Sequence, residues 1–193
     1  MEILCDTSSA LMLIRIGPSM FMQKRYGCCT TKEVRREIFG TQKFKTKYAW
    51  RDEYKDKVRC VPNELSENED VIRYFDVITS LLEVGIINQK TGRDFDLSYT
   101  DRKIVACVLS NGYKLTSGDS DLKEFASQEF GSEFRGSISP LGIINRWLKK
   151  ELLRWNSKRH LYLADWNKNE EHKQPLHQIK QFRRLTGLKY PGK

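Results

Sequence analysis

LSYTDRKIVACVLSNGYKLTSGDSDL, residues 97–122, is the stretch on which the fold turns. Residues 97–112 form a helix bounded by Ser98 at its start and Asn111-Gly112 at its end, the residue types that cap and terminate helices. YKLT, 113–116, is of strand length. Residues 119–130 return to helical spacing, with Leu122, Phe125, Ala126 and Phe130 on one face. A helix feeding a short apolar strand that feeds another helix is the repeating unit of a parallel sheet covered on both faces.

The same alternation continues outward. EILC, 2–5, is a strand candidate, and Asp6-Thr7-Ser8 can cap a helix with Ala10, Leu11, Leu13 and Ile14 inward. TTKEVRREIFG, 30–40, reads as a helix from near Thr31 to Gly40. The lysine-rich stretch 41–57 is expected as a solvated helix. VRCV, 58–61, is a second strand closed by Pro62. Residues 66–86 form a long helix with Val71, Ile72, Phe75, Ile78, Leu81 and Leu82 inward. FRGSIS, 134–139, is a last strand before the helix PLGIINRWLKKELLRW.

Composition narrows the class. With 39% hydrophobic and 31% charged residues in 193, the chain is globular and long enough for a real core. No apolar run approaches the roughly 18 residues that a membrane span needs. The opening MEILCDTSS lacks the basic start of a signal peptide, so a cytoplasmic protein is expected. The five cysteines include no CxxC pair and lie far from His160, His172 and His177, which favours buried thiols over disulfides or zinc.

Charge is unevenly placed. Of 34 Lys and Arg, 13 lie in residues 145–193, against 4 of the 25 Asp and Glu. The first 144 residues therefore balance at 21 of each sign, and the net +9 belongs to the last 49. Trp147, Trp155, Tyr162, Trp166, Phe182 and Tyr190 are interleaved there. Basic groups for phosphates and rings for exposed bases suit a nucleic-acid surface, while rings packed on the body would be the plain structural use.

The acids carry the chemistry. In parallel sheets ligands gather at the carboxyl ends of the strands. Asp6 follows the first strand and Asp119 follows YKLT, while Asp101 sits in the first turn of the helix that runs back to that edge. Glu37 lies about 60° from Val34 at roughly 100° per residue, on the border of the buried face, whereas Glu33 points further toward solvent. Each acid also has an ordinary role available, as an N-cap, a capping-box partner of Ser98 or an ion pair on its own helix. Together at one edge they would repel one another without a cation, and an all-oxygen set suits Mg²⁺ or Mn²⁺.

The series ILCDTSSALM, EVRREI and LSYTDRKIVACVLSNGYKLTSGDSDL resembles the PIN-domain nucleases, including the VapC-like ribonucleases. Asp6, Glu37, Asp101 and Asp119 match the four acidic positions of that family, and Asp121 matches a frequent fifth. The chain has TSGD where the family usually has Thr, one residue and Asp, so both Asp119 and Asp121 stand as candidate ligands. The resemblance implies a three-layer α/β/α fold with a central parallel sheet of four to five strands over residues 1–145. Residues 146–193 would be a basic, aromatic-containing helical extension.

It further implies a metal-dependent endoribonuclease that hydrolyses RNA. Asp6, Asp101 and Asp119 would be the main ligands, and Glu37 would serve the second ion or the water. Ser8 and Thr116 would be hydrogen-bonding partners of those ligands. An antitoxin protein and a homodimer are partners common in the family. Two other classes compete: an inert PIN-like binding module, and a phosphatase of the haloacid dehalogenase kind, which would need a second acid where this chain has Ser8.

Overall fold

The computed structural model describes residues 2–61, 68–170 and 173–192. Strand β1 (Ile3–Cys5) is buried at every position and ends because Asp6 becomes the N-cap of helix α1 (Thr7–Ile16). Then follow α2 (Pro18–Phe21), α3 (Lys32–Gly40), α4 (Gln42–Lys47) and a 3-10 helix (Ala49–Lys57). Helices α5 (Glu69–Val84) and α6 (Tyr99–Asn111) precede strand β2 (Lys114–Thr116). The chain continues through α7 (Ser120–Glu129), α8 (Pro140–Lys149), α9 (Ser157–Glu170) and α10 (Leu176–Thr186).

The expected three-layer fold around a sheet of four to five strands is not what the chain builds. Among the described residues the only regular ladder is two-stranded, β1 against β2, and helices make up most of the chain. Other extended stretches form single bridges: Leu4 with Cys29, Thr30 with Cys60 and Leu115 with Ser137 in parallel, and Ile87 with Asp94 antiparallel. Each parallel one is cut short by a local signal. Thr31 leaves its stretch to cap α3, and Ser139 leaves its own to cap α8. Gly136 stands at φ +80, a left-handed turn that no strand contains, so FRGSIS cannot run as one. The Pro62 that was to close VRCV, and the start of the 66–86 helix, lie outside the described residues.

Two helical readings also change. Residues 41–57 split into α4 and the 3-10 helix and are not wholly solvated, since Phe44, Tyr48 and Arg51 are buried. Arg51 is the reason for the break. Its guanidinium donates to the carbonyls of Ile38 (2.7 Å), Phe44 and Tyr48 (both 3.4 Å), satisfying helix-end acceptors that would otherwise be buried unpaired. On α5, Val71 and Ile78 are buried as expected, but Ile72 is exposed.

The C-terminal helices are stitched to the first. Trp147 on α8 is fully buried and donates to the Tyr26 carbonyl at 2.7 Å. Trp166 on α9 donates to the Ser8 carbonyl at 3.0 Å. Arg15 on α1 stacks between Trp50 (4.4 Å) and Tyr162 (4.2 Å) and pairs with Asp165. Phe182 packs edge-on against Trp155 and Tyr190. Four of the tail's rings, Trp147, Trp166, Phe182 and Tyr190, are therefore core and cannot stack on bases. The domain boundary expected at 145/146 falls inside α8. All five cysteines are free thiols, and burial pushes those of Cys5 and Cys29 up, leaving them protonated. No helix among the described residues is long and apolar enough to cross a membrane.

Candidate functional site

Because β1 and β2 run parallel with Cys5 opposite Thr116, the residues that follow them, Asp6 and Ser117, emerge side by side. Asp6 uses both carboxylate oxygens. Oδ1 accepts from the Ser9 amide at 2.8 Å, the N-cap bond, and Oδ2 accepts from Ser117 Oγ at 2.5 Å and the Gly118 amide at 3.1 Å. Ser117 Oγ in turn accepts from the Asp119 amide at 2.9 Å. The extra residue in TSGD is thus no slack in the turn: Ser117 and Gly118 clamp one aspartate and set out the next.

Asp101 arrives from the first turn of α6. It forms a complete capping box with Ser98, whose amide (3.1 Å) and hydroxyl (2.6 Å) both donate to Asp101 Oδ2. Glu37 comes from the second turn of α3, where Thr7 Oγ1 donates to its Oε2 at 2.6 Å. Asp6, Glu37, Asp101 and Asp119, with Thr7 and Ser98, line one open cleft of about 230 Å³. Capping and site membership coexist in the same side chains.

The structure separates the fifth acid from these four. Asp121 accepts from Asn88 Nδ2 at 3.1 Å, tying the loop after α5 to α7, and does not line the cleft. The helpers differ too. Thr116 Oγ1 is buried with no partner among the described residues, and Ser8 lines the cleft while engaging Glu170. Thr7, Ser98 and Ser117 hold the carboxylates instead. Ser117 was missed, although its place directly after YKLT and two before Asp119 was a signal for it. Glu33 does not point to solvent; it pairs with Lys103 of α6 at 2.6 Å, and both are largely buried.

Burial pushes the Asp101 carboxyl up, the Ser98 hydrogen bonds pull it back, and the charges of Asp119 and Asp6 add to the rise. The net shift is upward, so the folded protein favours Asp101 protonated, and this favourable contribution is lost as pH rises through its folded value. At neutral pH the ionised group is therefore a cost to the fold. Asp101→Asn, which keeps an acceptor for Ser98, is expected to raise Tm at pH 7. The gain should vanish below about pH 3.8, the ordinary value for the group. Thermal melts at the two pH values check this, and a Tm lowered at pH 7 would contradict it.

Asp101 Oδ1, Asp119 Oδ2 and Glu37 Oε1 take no hydrogen bond among the described residues. Uncommitted carboxylate oxygens under mutual repulsion fit a hard divalent cation. Among the described residues no group of three or more His, Cys, Asp or Glu is gathered as a ready-made metal cage. Mg²⁺ does not require one, since it is commonly held by one or two carboxylates and keeps several waters. Compared with known proteins, the chain matches no family model, no curated protein and no solved structure.

Proposed function

We propose that this protein is a metal-dependent endoribonuclease of PIN-like chemistry, with its centre in the cleft between α1, α3, α6 and α7. The observation that carries the reading is the arrival of Asp6, Glu37, Asp101 and Asp119 at one cleft from four separate parts of the chain. Asp101, Asp119 and Glu37, beside Asp6, would hold Mg²⁺ or Mn²⁺. When bound, such an ion supplies Lewis-acid activation of water and neutralises phosphate charge.

The chain's own residues do the positioning. Ser117 and Gly118 hold Asp6 rigid from behind, and Ser98 fixes the rotamer of Asp101, so neither carboxylate has to be ordered when substrate arrives. Thr7 anchors one oxygen of Glu37 and so fixes where the other faces the cleft. Without a cation the same acids would repel a phosphodiester, so the cleft is selective for loaded protein.

The test is cleavage of labelled single-stranded and structured RNA with Mn²⁺ or EDTA. Cleavage is expected with Mn²⁺ only. Asp119→Asn should lower it more than about tenfold, and Asp121→Asn, outside the cleft, should change it by less than about threefold. Cleavage that persists in EDTA, or that tracks Asp121 in place of Asp119, would sink the mechanism. An inert binding module is the second reading, since among the described residues no group of three or more possible ligands is gathered. It predicts RNA binding with no cleavage under any metal.

A further inference from the structure

An acidic cleft needs something to bring a polyanion to it. The Ser117–Gly118 turn that clamps Asp6 also forms the edge of a second cavity, of about 270 Å³. Its lining includes Lys123 from the start of α7 and Lys173 and His177 beside the start of α10. Gln178 belongs both to that cavity and to a third, of about 380 Å³, lined by Arg146, Lys149 and Lys150 between α8 and α10. The three spaces thus follow one another: carboxylate cleft, first basic pocket, second basic pocket. Among the described residues neither basic pocket has an Asp or Glu in its lining.

The cations are not spent elsewhere. Among the described residues Lys123, Lys149, Lys150, Lys173 and Arg146 enter no ion pair, although most of the other described ion pairs use basic residues of the chain's first half. Arg146 and Lys150 lie over the Tyr26 ring at 5.8 and 5.6 Å, which holds them without neutralising them. The floor is rigid. Asn145 Nδ2 pins Gln178 through its carbonyl (2.9 Å) and its side chain (2.8 Å). A Cβ at Gly142 would crowd Ile138 at 3.1 Å and Ser139 Oγ at 3.3 Å, and would touch Gln178 of α10 at an ordinary 3.4 Å. Helix α10 starts at Pro175 with no side-chain cap, so its positive end adds to the field of the first pocket.

We propose that the groove between α8 and α10 is a backbone track that leads a single RNA strand past Lys123 into the carboxylate cleft. The proposal rests on reading that cleft as a nuclease centre, and it explains why the chain's net positive charge sits in its last quarter. Recognition is of successive phosphates, because the aromatic residues of this region are largely committed to the core.

The test measures binding apart from cleavage: fluorescence anisotropy of a labelled oligouridylate in EDTA, across a salt series. The triple variant Lys123→Ala, Lys149→Ala, Lys150→Ala should bind about tenfold or more weakly, and its log–log salt slope should fall by about 2, at roughly 0.7 per lost contact on a single strand. Gln181→Glu, which sets a carboxylate in the groove without removing a cation, should weaken binding in the same direction. A control triple, Arg35→Ala, Arg36→Ala, Lys57→Ala, removes equal charge from exposed positions elsewhere and should change binding less than about threefold. Equal losses in both triples, an unchanged slope in the groove triple, or displacement by polyglutamate as readily as by polyuridylate would overturn the track. Loss of binding in the groove triple together with no cleavage by wild type in Mn²⁺ would keep the track and reject the nuclease.

Discussion

Asp6→Asn is expected to lower Mn²⁺-dependent RNA cleavage by about a hundredfold or more while leaving the fold in place. The magnitude follows from losing one carboxylate's share of several kcal/mol of charge stabilisation, at about 1.4 kcal/mol per factor of ten. Asparagine caps helices as well as aspartate does, so α1 keeps its start. The stability cost is confined to the far side of the residue. An amide offers one oxygen where Asp6 uses two, so with that oxygen kept on the Ser9 amide the Ser117–Gly118 pair loses its acceptor. That should cost on the order of 1 kcal/mol. Cleavage rates read beside thermal melts check both halves, and cleavage within a few-fold of wild type would remove Asp6 from the chemistry.

Lys103→Ala should be among the most destabilising single changes in the protein, by about 3–5 kcal/mol, because it leaves the buried Glu33 without its closest cation. Among the described residues Arg36, itself 77% exposed, is the other cation paired with Glu33, at 3.7 Å. Burial alone would push the Glu33 carboxyl up. The hydrogen bond and charge of Lys103 reverse this and bring it below its ordinary value of 4.5. The stability it contributes is therefore present above that value and is lost as pH falls through the folded one. In the variant the sign inverts, since burial then dominates and protonation relieves the unpaired charge. Denaturant unfolding should show a deficit that is large at pH 7 and shrinks toward pH 4. Pairing Lys103→Met with Glu33→Leu should recover much of the loss. A cost below about 1 kcal/mol would show that the pair is solvated.

Helices were legible in the sequence because their signals are local. Ser98, Thr31, Ser139 and Asp119 each cap where their residue types predict, and the α6 capping box forms even with Asp in place of Glu. Strands were not, because a ladder depends on what happens on both sides of it. VRCV and FRGSIS have strand composition, yet each meets its neighbour at one bridge: Thr31, next to the residue that bridges VRCV, leaves to cap α3, and Gly136 and Ser139 leave FRGSIS only Ser137 between them in the bridge. Asp6, Asp101 and Asp119 could be found because strand ends and a helix start place them without knowledge of side-chain packing, and Glu37 because the wheel sets it at the border of the buried face of α3. Glu33 was misplaced for the converse reason. A helical wheel reports position around one helix, and cannot show that α6 sets Lys103 over that face. The tail's rings carried the same ambiguity, since composition does not separate an aromatic that meets a base from one that fills the core.

The Ser117–Gly118 clamp joins residues 111 or more positions apart, and the Trp166 bond to the Ser8 carbonyl spans 158. Closing loops of that length is slow and is rewarded only once the intervening helices have packed. The cleft therefore has no partial version. A chain still folding, with α1 formed but α7 and α9 undocked, has the acids in its sequence and not in one place. On the nuclease reading proposed above, assembly itself would act as the safety catch, and the capacity to cut RNA would arrive as one of the last events of folding.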